Sequence, residues 1–265
     1  MNLQSLWRDW LLGRPDEHTP IDVHEVPIPI LALPAGLEGL RIAVVSDLHF
    51  GRFVREAYTQ HVIRLTHQQR PDLIVLPGDI INHLGQHARP CAAVLRQLHA
   101  PLGVLACLGN HDHFAGWRTV THAMREAGVD VLQNEHRRLR TASGAELIVA
   151  GVDDWKHGKP DLDAAFTGVD GQLPVILLAH NPDQAENISG GYRIDLTICG
   201  HTHGGQITLL GRPMVTRVRH RKYWRGLVQG PHGLVYTSRG VGMVGLPVRV
   251  GSRPEIPILR LQRAE

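Results

Sequence analysis

No run in this chain approaches the roughly 18–20 apolar residues that a membrane-spanning helix needs. Residues 1–14 lack the basic head and long apolar centre of an export signal, so a cytoplasmic protein is expected. Cysteine is scarce: Cys91, Cys107 and Cys199 are odd in number and far apart, which argues for buried free thiols in a reducing compartment rather than disulfides. Aromatic residues make up only 5%, too few for a row of base-stacking platforms. The formal charge of +3 is too modest to indicate a nucleic-acid binder, although a pI near 9.0 permits anionic substrates. No linker, repeat or charge block divides the 265 residues, and 43% hydrophobic content can bury a sizeable core.

The expected organisation is an amphipathic segment, residues 1–20, followed by a single domain, 21–265. Leu3, Leu6, Trp7, Trp10 and Leu11 recur at helical spacing. With only Arg8 and Arg14 as basic partners, that segment is expected to dock on the protein's own body. Peripheral membrane contact through residues 1–14 is the alternative.

Beyond it, Ile21 to Ile30 alternates until Pro27 and Pro29, which confine such a strand to a sheet edge. Apolar strands then read at 40–45, 73–76 and 102–108, separated by helical periodicity over 55–69 and 87–99, with a further helix over 116–127. From residue 129 the pattern resembles a β-meander, with segments at 129–132, 136–141 and 146–152. Strand 175–178, helix 182–189 and the run Ile194 to Cys199 follow, and strands near 206–210, 234–237 and 256–261 read as antiparallel. One α/β domain is the economical fold.

Five apolar strands end the same way. Each is followed at once by metal-competent side chains: Asp47 and His49, Asp79, Asn110 and His111, His180, and His201 with His203. Ligands bind at the carboxyl ends of strands in open α/β sheets, and neighbouring strands lie about 4.8 Å apart, so these side chains can converge. Gly78, Gly109 and Gly200 each precede a candidate ligand, as a sharp exit beside other backbone requires. A lone Asp or His at a strand end is usually a turn or surface residue. Five independent coincidences are a poor explanation.

Seven side chains (Asp47, His49, Asp79, Asn110, His180, His201 and His203) exceed the four of a structural zinc site, so two ions are expected. His201 and His203 could serve one ion or one each. A carboxylate is the natural bridge between close cations. Mixed N/O donors without thiolate suit Mn, Fe, Co or Zn, with manganese tried first.

Asp47-x-His49, Gly78-Asp79, Gly109-Asn110-His111-Asp112, His180 and Gly200-His201-x-His203 together resemble the five signatures of the calcineurin-like metallophosphoesterases. The tail, with Gly204-Gly205-Gln206-Ile207, Tyr236 to Gly240 and Arg253-Pro254-Glu255-Ile256, is similar to that superfamily's small bacterial phosphodiesterase branch, the YaeI- and YkuE-like proteins. The resemblance implies a four-layer α/β/β/α sandwich with two mixed sheets. By the same resemblance Asp47, His49 and His203 hold a first metal, Asn110, His180 and His201 a second, and Asp79 bridges them. His111 would sit by the phosphoryl oxygens or the leaving group, oriented by Asp112.

Such a centre implies in-line attack on phosphorus by a metal-bridging hydroxide, with a small phosphodiester as the expected substrate. Arg239, in a Gly-rich loop, is the expected substrate-binding cation, and the basic run 217–225 a solvated face or a phosphate-attracting rim. Alternatives are a UDP-2,3-diacylglucosamine-type pyrophosphate hydrolase, a nuclease, and a metal-binding scaffold without catalysis. His83 and His113 are second-rank candidates for supporting the site.

Overall fold

The computed structural model describes residues 11–12, 15–169, 171–189 and 191–264, with only the backbone of residues 11 and 12. The amphipathic pattern of residues 1–10 lies outside the described residues. Leu11–Leu12 do not continue a helix; they pair antiparallel with Arg249–Val250.

The two large sheets are built from β1 (Asp22–Ile30), β2 (Arg41–Val44), β3 (Leu73–Pro77), β4 (Val104–Cys107), β5 (Asp130–Val131), β6 (Glu135–Arg140), β7 (Glu146–Gly151), β8 (Val175–Leu178), β9 (Leu196–Cys199), β10 (Gly226–Gly230), β11 (Gly233–Thr237) and β12 (Glu255–Arg263). The helices are α1 (Glu56–Gln68), α2 (Ala88–Leu95), α3 (Asn110–Phe114), α4 (Trp117–Glu126) and α5 (Leu162–Phe166). The first sheet runs β1-β12-β2-β3-β4-β5 and the second β10-β11-β9-β8-β7-β6. As Pro27 and Pro29 require, β1 is an edge strand.

Period-two alternation in the strands sorts side chains between two layers. Ile42, Val44, Leu73, Val75, Leu105 and Cys107 point towards the other sheet, where Leu147, Val149, Ile176, Leu178 and Ile198 meet them. Ala43, Val45, Ile74, Leu76 and Ala106 point outwards, beneath Tyr58, Val62, Cys91, Leu95, Val120 and Met124 of α1, α2 and α4. On the far face, Ile148, Val175 and Leu177 are covered by Ala165 and Phe166 of α5. The layers are therefore helix, sheet, sheet, helix, the four-layer sandwich with two mixed sheets. Each fully buried Leu, Ile or Val contributes roughly 1.5–3 kcal/mol to holding them together.

The pairing departs from the expected pattern in three places. The segment 129–132 does not belong to a meander: β5 joins the first sheet parallel to β4, and only β6 and β7 form a hairpin. The last strands are mixed, because β11 runs parallel to β9 and β12 runs parallel to β1 while antiparallel to β2. Strand partners far apart in the chain leave no trace in local periodicity. The expected helix 182–189 is a short 3-10 turn, Pro182–Glu186, whose proline fits its first turn. All three cysteines are buried and free.

Candidate dinuclear metal centre

The parallel strands β2, β3 and β4 of one sheet and β8 and β9 of the other end at a common rim. Each predicted ligand stands on the first residues after one of these ends, and the backbone there is unusual. Asp47, His49, Asp79, His201 and His203 all have positive φ, between 50° and 71°. Non-glycine residues rarely adopt this conformation, and such strain gathers at functional sites. It is held by bonds between the strand ends. The amide of His111 donates to Asp79 Oδ1 at 2.8 Å, and that of His201 to Asp47 Oδ1 at 2.9 Å. Ser46 Oγ donates to Asp47 Oδ2. A side chain at Gly109 would strike Asp79, and one at Gly200 would strike Ser46 and Asp47, so these turns can approach only as glycine.

Two ligand sets result, Asp47, His49 and His203 in one and Asp79, His180 and His201 in the other; a third grouping, His49, Asp79 and His111, shares a member with each, and the candidate donor atoms of every group lie within 4.8 Å of one another. His49 Nε2 lies 3.0 Å from His203 Nε2, and His180 Nε2 lies 3.2 Å from His201 Nδ1. Asp79 joins the sets: its Oδ2 is 3.5 Å from His49 Nε2 and 3.2 Å from His180 Nε2. Asn110 Oδ1 is buried without a hydrogen-bond partner, an oxygen left for something else to use. His180 Nδ1 donates to the carbonyl of Pro77 at 2.9 Å, which turns its Nε2 inwards. The donors are nitrogen and oxygen only, facing one another at 3.0–3.6 Å, an arrangement that fits a pair of divalent cations. His201 and His203, one residue apart, belong to different sets.

The electrostatics agree. Burial pushes His49 and His203 well below the ordinary histidine range and His201 down to about 3, so these rings are neutral and able to ligate. His180 is the exception. Burial alone would lower it, but the Asp79 and Asp47 carboxylates raise it to about 10. Burial raises Asp79, yet the His180 charge overrides this and holds it well below the carboxylate range. Carboxylates that favour a positive group so strongly favour divalent cations too.

His111 is buried beside the cluster, its ring 4.6 Å from that of His49 and its Nδ1 without a partner. Burial lowers it to about 4. Asp112 does not orient it, contrary to the sequence expectation. Its carboxylate accepts from the amides of Gly109 and Ile81 at 2.9 Å and of Ile80 at 3.3 Å, binding the Asp79 turn to the Asn110 turn. Asp112 is thus a positioning residue. Arg239 also departs from expectation. Its guanidinium is committed to Glu255 at 2.5 Å and Asp22 at 2.6 Å, tying the loop after β11 to β12 and β1. Of the second-rank candidates, His83 packs its ring 4.2 Å from His111, and His113 binds Asp153 at 2.7 Å.

Sequence reasoning passed over several residues. Asp153 and Asp154 follow β7, and the strand-end rule applied to that strand would have found them. Asp153 accepts from His113, Gln133 and the amide of Lys159, while Asp154 accepts from the amides of Lys156 and His157. Together they shape a loop whose His157 lies edge-on to Phe114 at 4.6 Å. Arg249 gave no sequence signal at all. It is 1% exposed, donates to the carbonyls of His203, Arg239, Gly240, Gly242 and Ser252, and lies 3.3 Å from His203 Nδ1. Arg217 is exposed but close: after burial and nearer charges, its own charge helps hold down His49, His111, His201 and His203.

A family model described as calcineurin-like phosphoesterase matches residues 40–205. The chain is similar to the uncharacterized metallophosphoesterase YkuE of Bacillus subtilis (strain 168), 35% identical over 247 residues that cover 91% of this chain and 86% of that protein. It is 34% identical over 228 residues to the phosphodiesterase YaeI of Escherichia coli (strain K12), covering 83% of this chain and 82% of that one. Among solved structures, the NAD nucleotidase of Haemophilus influenzae shares the fold, with a TM-score of 0.51 at 18% identity over 76% of this chain and 45% of that chain.

Proposed function

The chain belongs to the calcineurin-like phosphoesterase family, and from that premise we propose that it is a phosphodiesterase whose two divalent cations are held by Asp47, His49, Asp79, Asn110, His180, His201 and His203. The observation that carries this reading is the meeting of two buried ligand sets at Asp79 Oδ2. Divalent cations at such a centre acidify a coordinated water and offset charge on the phosphoryl oxygens. Manganese is the first ion to test, since the donor set contains no thiolate.

The chain's own residues do the rest. Asp79 Oδ1 is pinned by the His111 amide, which fixes the direction of Oδ2. That same contact sets the His111 backbone beside the cluster, where a neutral imidazole can donate one N–H to a phosphoryl oxygen. Lys156 and Arg217 are cations whose charges reach His201, joined where Lys156 Nζ donates to the Arg217 carbonyl at 3.4 Å. Arg239 is already neutralised by two carboxylates. So sparse a set of cations suits the single charge of a diester better than the two charges of a monoester. Similarity to the phosphodiesterase YaeI supports the same choice. A small phosphodiester in the cytoplasm completes the reading, the latter supported by three buried free thiols.

The test is turnover of bis(4-nitrophenyl) phosphate and of 4-nitrophenyl phosphate by the purified protein with Mn²⁺ added. The diester should be the better substrate. Preference for the monoester would replace this reading with phosphomonoesterase, and no turnover of either with two metals bound would leave a metal-binding scaffold.

A further inference from the structure

Beside His203 opens a cavity of about 350 Å³, with Thr202, Gln206, Met214, Arg217 and Leu246 in its walls. Its neutral polar side chains are already engaged. Thr202 Oγ1 donates to the carbonyl of Trp224 and accepts from the amide of Gly204. Gln206 Nε2 donates to the carbonyls of Val244 and Leu246, and its Oε1 accepts from the amide of Val244. A polar ligand would find few free partners there, and a nucleobase edge would leave its own donors and acceptors unpaired. Met214 and Leu246 are 68% and 62% exposed, as are Val215 at 64%, Leu209 at 56% and Leu210 at 94%. These five are the majority of the nine exposed large hydrophobics among the described residues; Met214, Val215 and Leu246 line the cavity, and Leu209 and Leu210 lie on the same segment as Met214 and Val215. Apolar residues gathered in this way mark a binding surface. At the inner end stands a ligand of the metal centre, His203, and the lining carries the charge of Arg217.

On the reading that this centre hydrolyses phosphodiesters, we propose that the cavity receives an aliphatic arm of the substrate. The substrate class is a phosphodiester with a hydrocarbon chain on one ester oxygen, its phosphate at the metal centre and Arg217, its chain between Met214 and Leu246.

The test uses methyl, butyl and octyl 4-nitrophenyl phosphate, assayed with Mn²⁺ below their micelle concentrations. All share one leaving group, so a binding pocket shows in KM. Each buried methylene is worth about a threefold to fourfold change, so KM should fall roughly 30–60-fold from methyl to butyl while kcat changes little. Leu246→Asn and Met214→Gln should each shrink that ratio, in protein whose melting temperature shows it folded. Turnover of all three esters with a flat KM overturns the pocket and leaves the phosphodiesterase reading standing. A chain-length effect untouched by both variants also overturns it, since the chain then binds elsewhere. So does an effect that emerges only when residues 1–10 are deleted, because this chain's own apolar segment would then be the occupant. No turnover of any ester removes the phosphodiesterase reading, and the pocket assignment with it.

Discussion

His111 and Asp79 lie in contact at the centre, yet they should fail in different ways. Asp79 presents Oδ2 to both ligand sets, so Asp79→Ala should lose metal and activity together, read by metal analysis beside turnover. His111 belongs to neither the Asp47–His49–His203 set nor the Asp79–His180–His201 set, although its ring nitrogen groups with the donor atoms of His49 and Asp79. His111→Ala should keep the metals and lower kcat by roughly 10²–10⁴-fold. Burial keeps its ring neutral, so the structure favours a hydrogen-bond donor over a proton donor. His111→Gln, which also donates an N–H, should recover part of the loss. Equal inactivity of the Ala and Gln variants would point back to proton transfer.

Between elements, two contacts hold the rim in shape. Arg249 binds five carbonyls from three loops and braces His203, and burial lowers it only to about 10, so it stays charged at neutral pH. Arg249→Met would take their donor from the carbonyls of Arg239, Gly242 and Ser252, and a loss of about 2–4 kcal/mol in urea unfolding is expected, with weaker metal binding. Lysine cannot span that fan of acceptors, so Arg249→Lys should recover little. The second contact is His113 of α3 with Asp153. Burial alone would lower His113, but the carboxylate raises it above 6.5; its stabilisation is complete below 6.5 and lost as pH rises through the higher folded value. Burial alone would raise Asp153, but His113 and its amide donors hold it at about 2; its stabilisation is present above 3.8 and lost as pH falls towards 2. The pair therefore contributes most between pH 3.8 and 6.5. The urea-midpoint gap between wild type and His113→Phe should be wider at pH 5.5 than at pH 9, and an equal gap would rule this out.

At the scale of the whole molecule, cations at the centre would join the two sheets, because Asp79 comes from the first and His180 and His201 from the second. Free Mn²⁺ at a hundred times its Kd should raise folding stability by about 2.7 kcal/mol, and chelation should remove the gain. Asp79→Ala should show no such rise. The strand ends, their glycines and the seven candidate ligands were legible in the chain because each depends on its neighbours: an apolar run, a turn, a donor. The edge position of β1 was equally local, written in Pro27 and Pro29. The parallel course of β11 and the transfer of β5 to the first sheet were not, since pairing joins residues far apart. Nor could sequence separate Arg239 from Arg249. Both are arginines in short loops or strands near glycines; one meets two carboxylates and the other a ring of carbonyls behind His203. Which atoms surround a charge depends on the packing of distant segments, so local chemistry picked out the candidate metal ligands and tertiary structure alone decided what supports them.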